Sequence, residues 1–146
     1  MARFRKALQV LFGKPAKADD ASARISERNE RLFKCIERTV NEKELYLDPR
    51  FTVDDLADAV CSNRTYVTSA LNSHGFTFPA YICAFRVQKV LMLLSDPSAE
   101  DNDACGIADL CGFLSDRSMS YHLAKTFGVP FSTLRDRAAS MKHVTE

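Results

Sequence analysis

The sequence contains no tryptophan, only five glycines and five prolines, and no apolar run that approaches eighteen residues. Because a membrane-crossing helix needs about twenty consecutive apolar residues, we expect no membrane span in this chain. Residues 1–14 are basic with a short apolar centre, but they lack the small-residue cleavage pattern of a signal peptide. We therefore expect a cytoplasmic protein rather than an exported one.

Residue patterns that carry chemistry are also scarce. The five cysteines form no CxxC pair, and their odd number favours a reducing compartment in which most thiols are small buried hydrophobes. His74, His122 and His143 lie far apart and at no ligand spacing from cysteine or aspartate. Cys105 and Cys111 are six positions apart and do not share one helical face. No GxSxG, P-loop or HExxH motif occurs, so we expect no metal site, no cofactor and no catalysis.

The composition is that of an ordinary globular protein, with 46% hydrophobic and 27% charged residues. A chain of 146 residues is long enough for one domain or two very small ones. The net charge of +1 hides an asymmetry, because residues 1–50 carry 12 basic against 8 acidic side chains and residues 51–146 carry 8 against 11. Bulk charge therefore does not indicate a nucleic-acid partner, and only the placement of the basic residues can.

The most apolar stretch of the chain is residues 79–94. Pro79 suits the start of a helix, where its missing N–H costs nothing, and the helix should end before Asp96-Pro97. A helix over these residues would be about 24 Å long. Because apolar residues cover most of its circumference, we expect it to contact other elements on more than one side. For Arg86, within this stretch, we favour a structural role in which it is tied to a carboxylate or a helix end inside the domain.

The chain divides into three segments. We interpret residues 1–23 as a basic flexible arm, residues 24–44 as a helix, and residues 45–143 as the main domain. The helix over 24–43 has one apolar stripe and an otherwise charged surface of mixed sign, typical of a solvated helix packed on a domain. The stripe consists of Ile25, Leu32, Cys35, Ile36 and Val40. We expect this helix either to dock on the elements that follow or to pair with its copy in a homodimer.

Two short helices joined by a tight turn are predicted within residues 51–76. Thr52 is the expected N-cap of the first, with acidic residues in its first turn, and Asn63 is the expected N-cap of the second. The inner stripe of the second helix is Val67, Ala70 and Leu71, and its outer face carries short polar side chains that can enter a major groove.

The pattern returns in residues 104–128, where a short helix, a turn at Cys111-Gly112-Phe113 and a longer helix follow one another. Ser115 or Asp116 is the expected cap of the longer helix, and a last helix follows over 131–141. Residues 56–78 and 107–131 therefore form an internal repeat, on either side of the long helix. The residues that we expect to be buried are Leu56, Val67, Leu71, Ile82, Leu91, Ile107, Phe113, Leu123 and Phe127.

Particular residues in both pairs match a pattern known from one family. In the first pair and the long helix they are Leu56-Ala57, Asn63-Arg64-Thr65-Tyr66-Val67, Gly75-Phe76-Thr77-Phe78, Tyr81-Ile82 and Arg86-Val87. In the second they are Ile107-Ala108, Gly112-Phe113, Ser115, Phe127-Gly128-Val129 and Arg135. With these residues the chain resembles, over about residues 45–137, the DNA-binding domain of AraC/XylS bacterial transcription regulators, especially members from Bacteroidetes. It departs from the family at Val90, where a small alanine is usual, and at Phe131, where proline is usual.

The resemblance implies an all-α fold of two homeodomain-like helix-turn-helix units joined by a long linker helix. It implies a transcription regulator that places its two recognition helices in successive major-groove segments of double-stranded DNA, about 34 Å apart. The implied base contacts are Thr65, Thr68, Ser69, Arg117, Ser118 and Tyr121. The basic side chains suited to phosphate contacts are Arg64, Lys89, Lys125, Arg135 and Arg137. RNA polymerase or an upstream sensor segment is the further partner to expect.

A second hypothesis belongs to a different class of function. Thr65, Thr68 and Ser69 are small and neutral, and the excess of acidic over basic residues in 51–146 is unusual for a DNA-binding domain. The chain could instead serve as a helical protein-interaction module whose DNA-reading faces are eroded.

Overall fold

The computed structural model describes residues 23–99 and 101–144, and in this part of the chain it contains seven α-helices and no strand. The prediction of an all-helical protein is confirmed for these residues, whereas the predicted arm of residues 1–23 lies outside them except for Ala23. The helices are α1 (Ala23–Glu42), α2 (Val53–Ala59), α3 (Arg64–Ser73), α4 (Phe78–Leu94), α5 (Ala104–Leu110), α6 (Asp116–Phe127) and α7 (Phe131–Val144). Short 3-10 helices occupy Leu45–Leu47 and Pro97–Ala99.

The chain divides into two compact units, and the division falls within α4. The first unit contains the described residues up to Leu45 and Arg50–Ile82, and the second contains Tyr46–Pro49 and the described residues from Cys83 onward.

In the first unit, α1 packs against α2 and α3 through a stripe that is shifted from the predicted one. The buried residues of α1 are Asn29, Phe33, Ile36 and Val40, at the i, i+4, i+7, i+11 spacing of one helical face. Ile36 and Val40 were predicted correctly, but Ile25 and Cys35 are exposed. The prediction was wrong there because a polar residue, Asn29, takes an inward position, which the apolar pattern could not indicate.

His74 joins α1 to the end of α3 from a buried position. The residue is only 5% exposed, its ring stacks on that of Phe33 at 3.8 Å between centroids, and its Nε2 lies 2.8 Å from Oε2 of Glu30. The histidine that carried no metal-ligand spacing in the sequence is therefore a packing residue of this unit.

The second unit has its own apolar core, to which α4, α5, α6 and α7 contribute. Its members are Val87, Val90, Leu94, Ile107, Ala108, Cys111, Phe113, Met119, Leu123 and Phe131. Val90 and Phe131, the two departures from the family pattern, are both buried in this cluster. They therefore contribute apolar packing to the unit.

Arg86 has the structural role predicted for it, within the second unit. Its Nε donates to the carbonyl oxygen of Tyr46 at 2.7 Å, and its terminal nitrogen donates to that of Asp48 at 2.9 Å. Burial lowers the pKa of this guanidinium, and the nearby Cys83 and Asp48 oppose that effect. Arg86 thus binds the end of the 3-10 helix to α4 and is unsuited to contact an external phosphate.

Leu91 and Phe127 were predicted to be buried, and both predictions are wrong. Leu91 is 37% exposed and Phe127 is 40% exposed. At about 100° per residue, Leu91 lies about 100° around α4 from the fully buried Val90, which puts it at the edge of the buried stripe. Phe127 is the last residue of α6 and lies eight positions beyond the buried Met119, or about 80° around the helix from it.

The cysteines also differ from the prediction that most would be buried. All five are free thiols, of which Cys111 is buried and Cys83 is half-buried, while Cys35, Cys61 and Cys105 are exposed. Burial raises the pKa of Cys111 to about 11, although Lys89 acts in the opposite direction.

Candidate functional site

The turns between α2 and α3 and between α5 and α6 are built from the same backbone hydrogen bonds. In the first, the N–H of Cys61 donates to Asp58 at 3.2 Å and that of Ser62 donates to Ala57 at 2.9 Å. In the second, Gly112 donates to Asp109 at 3.3 Å and Phe113 donates to Ala108 at 3.0 Å. Both pairs of bonds are those of a Schellman motif, which places one residue in the left-handed region just after the helix.

The left-handed residues are Cys61, with φ of 54°, and Gly112, with φ of 83°. Glycine is required at the second position for two reasons. Its φ is positive, and a Cβ there would lie 2.3 Å from the carbonyl oxygen of Tyr46. At the first position Cys61 adopts the left-handed conformation despite its side chain. The two copies of the sequence repeat therefore have the same backbone turn, one in each unit.

A polar cap then begins the second helix of each pair. The Asn63 side chain accepts a hydrogen bond from the N–H of Tyr66 at 2.9 Å, and Ser115 Oγ accepts one from Ser118 at 3.1 Å. Thr52 forms a full capping box with Asp55 at the start of α2. The predictions for Thr52 and Asn63 are confirmed, and Ser115 rather than Asp116 caps α6.

On α3, the outward face consists of Arg64, Thr65, Thr68 and Asn72, all of them exposed. Arg64 lies 3.5 Å from Asp54 in an exposed ion pair, which is a weak interaction that a phosphate can replace. The inward face is Val67, Ala70 and Leu71, as predicted, and these residues are fully buried. Two of the three base-contact candidates on this helix, Thr65 and Thr68, are therefore accessible side by side.

Ser69 differs from those two threonines because it has a partner inside the unit. It is half-buried, and its Oγ accepts a hydrogen bond from the side-chain amide of Asn29, on α1, at 3.1 Å. Next to it, the guanidinium of Arg28 lies 4.2 Å from the centre of the Tyr66 ring. Helix α1 therefore covers this flank of α3 and leaves the flank of Thr65 and Thr68 uncovered.

On α6, the outward face is a stripe of Arg117, Tyr121 and Lys125, spaced four residues apart and all exposed. Tyr121 is 62% exposed, although its ring contacts that of His122 at 5.3 Å between centroids. Ser118 is half-buried, with its backbone N–H bound to the cap, so it lies at the edge of this face. The stripe combines two cations with a hydrogen-bonding aromatic side chain.

Two of the remaining cations suggested for phosphate contact are only half-exposed. Arg135 is half-buried and donates to the carbonyl oxygen of Asn102, so it fixes the loop before α5. Lys89 is half-buried on α4, whereas Arg137 is exposed on α7. Of this group, Arg137 is the more accessible, together with Lys125 on α6.

His122 lies under the stripe of α6, where its ring stacks on Phe113 at 6.0 Å between centroids. Burial lowers the pKa of His122 below its ordinary value of 6.5, and the positive charges of Lys125 and Arg86 act in the same direction. The imidazole is therefore held in its neutral form beside the two cations.

The sequence analysis did not identify a basic pocket in the first unit. This open pocket of about 420 Å³ is lined by α1, the turn after α2 and the start of α3, and its charged residues are Arg24, Glu27, Arg28 and Arg31. The i, i+4, i+7 spacing of the three arginines was present in the sequence. It went unnoticed because the charged face of that helix was interpreted as solvated.

Among residues 23–99 and 101–144, no group of three or more histidine, cysteine, aspartate and glutamate side chains is placed to hold a metal ion. Within the same residues no single helix has the length and apolar composition to cross a membrane. Helices α3 and α4 reach that length and composition only when taken together, and they are bent by 66° at the break between them.

Comparison of the chain with protein-family models, with curated proteins and with solved structures found no match.

Proposed function

We propose that this protein is a sequence-specific DNA-binding transcription regulator of the AraC/XylS type. In this proposal the α2–α3 and α5–α6 pairs are two helix-turn-helix units, and α4 is the linker helix between them. The recognition helices α3 and α6 then enter successive segments of the major groove. The resemblance of the sequence to that family is the starting point of the proposal, and local geometry supports it.

The observation that carries the proposal is the repeated turn together with the capped helix that follows it. Two helix pairs with the same Schellman bonds, each followed by a capped second helix with an exposed polar face, are what two DNA-reading units require. The same bonds also end α3 at Gly75, so the turn by itself is a common helix ending, and it is its combination with a capped second helix in both pairs that favours the proposal. A helical hairpin that serves only for packing has no need of an accessible polar face on the second helix of each pair.

The exposed faces suggest which side chains contact bases and which contact phosphates. Arg117 lies in the first turn of α6, the part of a recognition helix that approaches base edges, and arginine can bind guanine O6 and N7 with two hydrogen bonds. Thr65 and Thr68 can contact bases on α3, through their hydroxyl or methyl groups. Arg64, Lys125 and Arg137 serve phosphates, while Ser69 and Arg135 are assigned to internal hydrogen bonds instead.

As a DNA-binding protein the chain would act in the bacterial cytoplasm, without catalysis or cofactor. Its further partner would be RNA polymerase or a sensor segment. The homodimer through residues 24–43 stays a prediction, although α1 uses its apolar stripe against α2 and α3 within the chain.

The test is a titration of labelled duplexes, first selected from fragmented genomic DNA and then compared with a random duplex, at 50 and 200 mM salt. Three phosphate contacts alone would lower the affinity on the order of 40-fold over that range. A selected duplex should also bind more tightly than the random one at both salt concentrations. Binding that does not depend on salt, or no binding, would contradict the proposal.

The second candidate function is a helical protein-interaction module. It is favoured by the engagement of Ser69 with Asn29, which removes one polar group from the face of α3, and by the exposed Leu110 and Leu114, of which Leu114 is 72% exposed. The same titration distinguishes the two functions, since a module of this kind should show no duplex binding that falls steeply with salt.

A further inference from the structure

We propose that the pocket formed by Arg24, Arg28 and Arg31 of α1, with Tyr66 of α3, is a binding site for the sugar-phosphate backbone of DNA. The inference rests on the proposed function and adds to it a phosphate site outside the two helix pairs. None of these arginines was among the phosphate contacts expected from the sequence.

The three arginines recur at i, i+4 and i+7, so they line one face of α1 over about 10 Å. Arg28 is held in place by the ring of Tyr66, with its Cζ 4.2 Å from the ring centroid. A cation–π contact of this kind fixes the side chain while its N–H groups stay available for an anion.

The charge of the pocket favours an anion. Glu27 is the one acidic residue among those that line it, and it is paired with Arg31 at 2.5 Å. Among the described residues, the side chains of Arg24 and Arg28 have no acidic partner, and that of Arg24 has no hydrogen-bond partner there either. Two cations on an open pocket suit consecutive phosphates, since each strand carries one negative charge per about 3.4 Å of helix axis.

The position of the pocket favours DNA over a free anion or an acidic peptide. Tyr66 lines the pocket and also lies in the first turn of α3, next to Thr65 in sequence. A duplex whose major groove receives Thr65 and Thr68 would bring its backbone along the N-terminal flank of α3. That flank is where the pocket lies, beside the cap Asn63 and the turn residues Cys61 and Ser62.

The experiment measures the salt dependence of duplex binding for the full chain and for Arg24→Gln and Arg28→Gln. Each variant should weaken the selected and the random duplex by the same factor and should lower the slope of log affinity against log salt by about 0.9. Arg38→Gln is the matched control, since it removes one exposed positive charge from α1 outside the pocket. It should behave like the unmodified chain.

Thermal unfolding of all three variants checks that the fold is retained, and the NMR signals of the Tyr66 ring provide a second readout. These signals should shift when duplex is added, and inorganic phosphate at matched ionic strength should not reproduce the shift. If phosphate does reproduce it, the pocket is a site for small anions and the inference is overturned.

Two further outcomes separate the inference from the proposed function. If the unmodified chain binds duplexes with steep salt dependence while Arg24→Gln and Arg28→Gln match it, the pocket does not contact DNA and the proposed function stands. If Arg38→Gln has the same effect as the pocket variants, general charge explains the loss and the inference also fails. If the unmodified chain binds no duplex, the proposed function fails and the inference with it.

Discussion

The side-chain amide of Asn29 donates a hydrogen bond to Oγ of Ser69 across 3.1 Å, although the two residues are forty positions apart in the chain. Asn29 is only 4% exposed, and this bond satisfies its amide nitrogen, while its Oδ1 has no hydrogen-bond partner among the described residues. The bond also assigns Ser69 to the packing of the first unit. Sequence reasoning had instead placed Ser69 with the groups that read bases.

Asn29→Ala should lower the free energy of unfolding by about 1–2 kcal/mol, because a hydrogen bond and buried contacts are lost. Ser69→Ala should cost less, since its half-exposed site can accept water. The double-mutant cycle, measured by urea unfolding, should give a coupling of about 0.5–1.5 kcal/mol. In DNA binding, Ser69→Ala should leave the preference among duplexes unchanged, and a changed preference would show that the serine reads a base.

Arg117→Ala should reduce binding to the preferred duplex by about 1–3 kcal/mol and relax the preference at one base pair, because it removes a contact with base edges. Lys125→Ala removes the same charge from the same helix, but it should weaken all duplexes alike and lower the salt slope by about one unit. Titration of selected and random duplexes measures both effects. Equal losses on both duplexes for both variants would make Arg117 a phosphate contact only.

Cys61→Gly should raise the free energy of unfolding by about 0.5–1 kcal/mol, because glycine adopts the left-handed conformation without the penalty paid by other residues. Gly112→Ala should lower the free energy of unfolding by more than about 2 kcal/mol for two reasons. The added Cβ would clash with the backbone of Tyr46 and Leu47, and alanine would be strained at the positive φ of this position. Denaturant midpoints check both. Equal effects of opposite sign would mean that the close backbone contact at Gly112 contributes nothing.

The depressed pKa of His122 predicts a loss of stability in acid. Because burial lowers this pKa below 6.5 in the folded chain, the stabilising contribution is fully present above about pH 6.5 and is lost as the pH falls below that value. An NMR titration should find the imidazole midpoint below 6.5. His122→Gln should lose less stability than the unmodified chain between pH 7.5 and 5.5, and Lys125→Gln should raise the midpoint of His122.

Cys111 should resist alkylation in the folded protein. With its pKa raised to about 11 by burial, about one molecule in a thousand carries the reactive thiolate at pH 8. Cys35 and Cys61 are exposed and should react first with iodoacetamide, as peptide mass spectrometry would show. Urea should make all five thiols reactive, and rapid labelling of Cys111 without urea would contradict its placement in the core.

Local features of the sequence were sufficient to predict much of the helical structure. The caps Thr52 and Asn63 each accept from a backbone N–H three residues away, so they can be identified without knowledge of the fold. The inner stripe of Val67, Ala70 and Leu71 follows from helical spacing alone, and the turn at Gly112 follows from the repeat and from the conformational freedom of glycine.

Tertiary structure decided which of several similar residues faces inward. Asn29 is buried and Cys35 is exposed on the same helix because α3 presents Ser69 to the first, a partner that no local pattern reveals. Leu91 and Phe127 are as apolar as their buried neighbours, but the rotation of the helix carries them out of the packed face.

The candidate site divides in the same way. Helical spacing was enough to place Thr65, Thr68 and Arg117 on outward faces, because an outward face is the complement of an apolar stripe, and the resemblance to the family then suggested their role in base contact. Contacts between distant segments exclude Ser69 and Arg135 from the candidate DNA contacts. Such contacts also bring Tyr66 beside Arg24, Arg28 and Arg31. Such contacts form only when the chain is folded, since burial and charge are properties of the whole packed unit rather than of one helix.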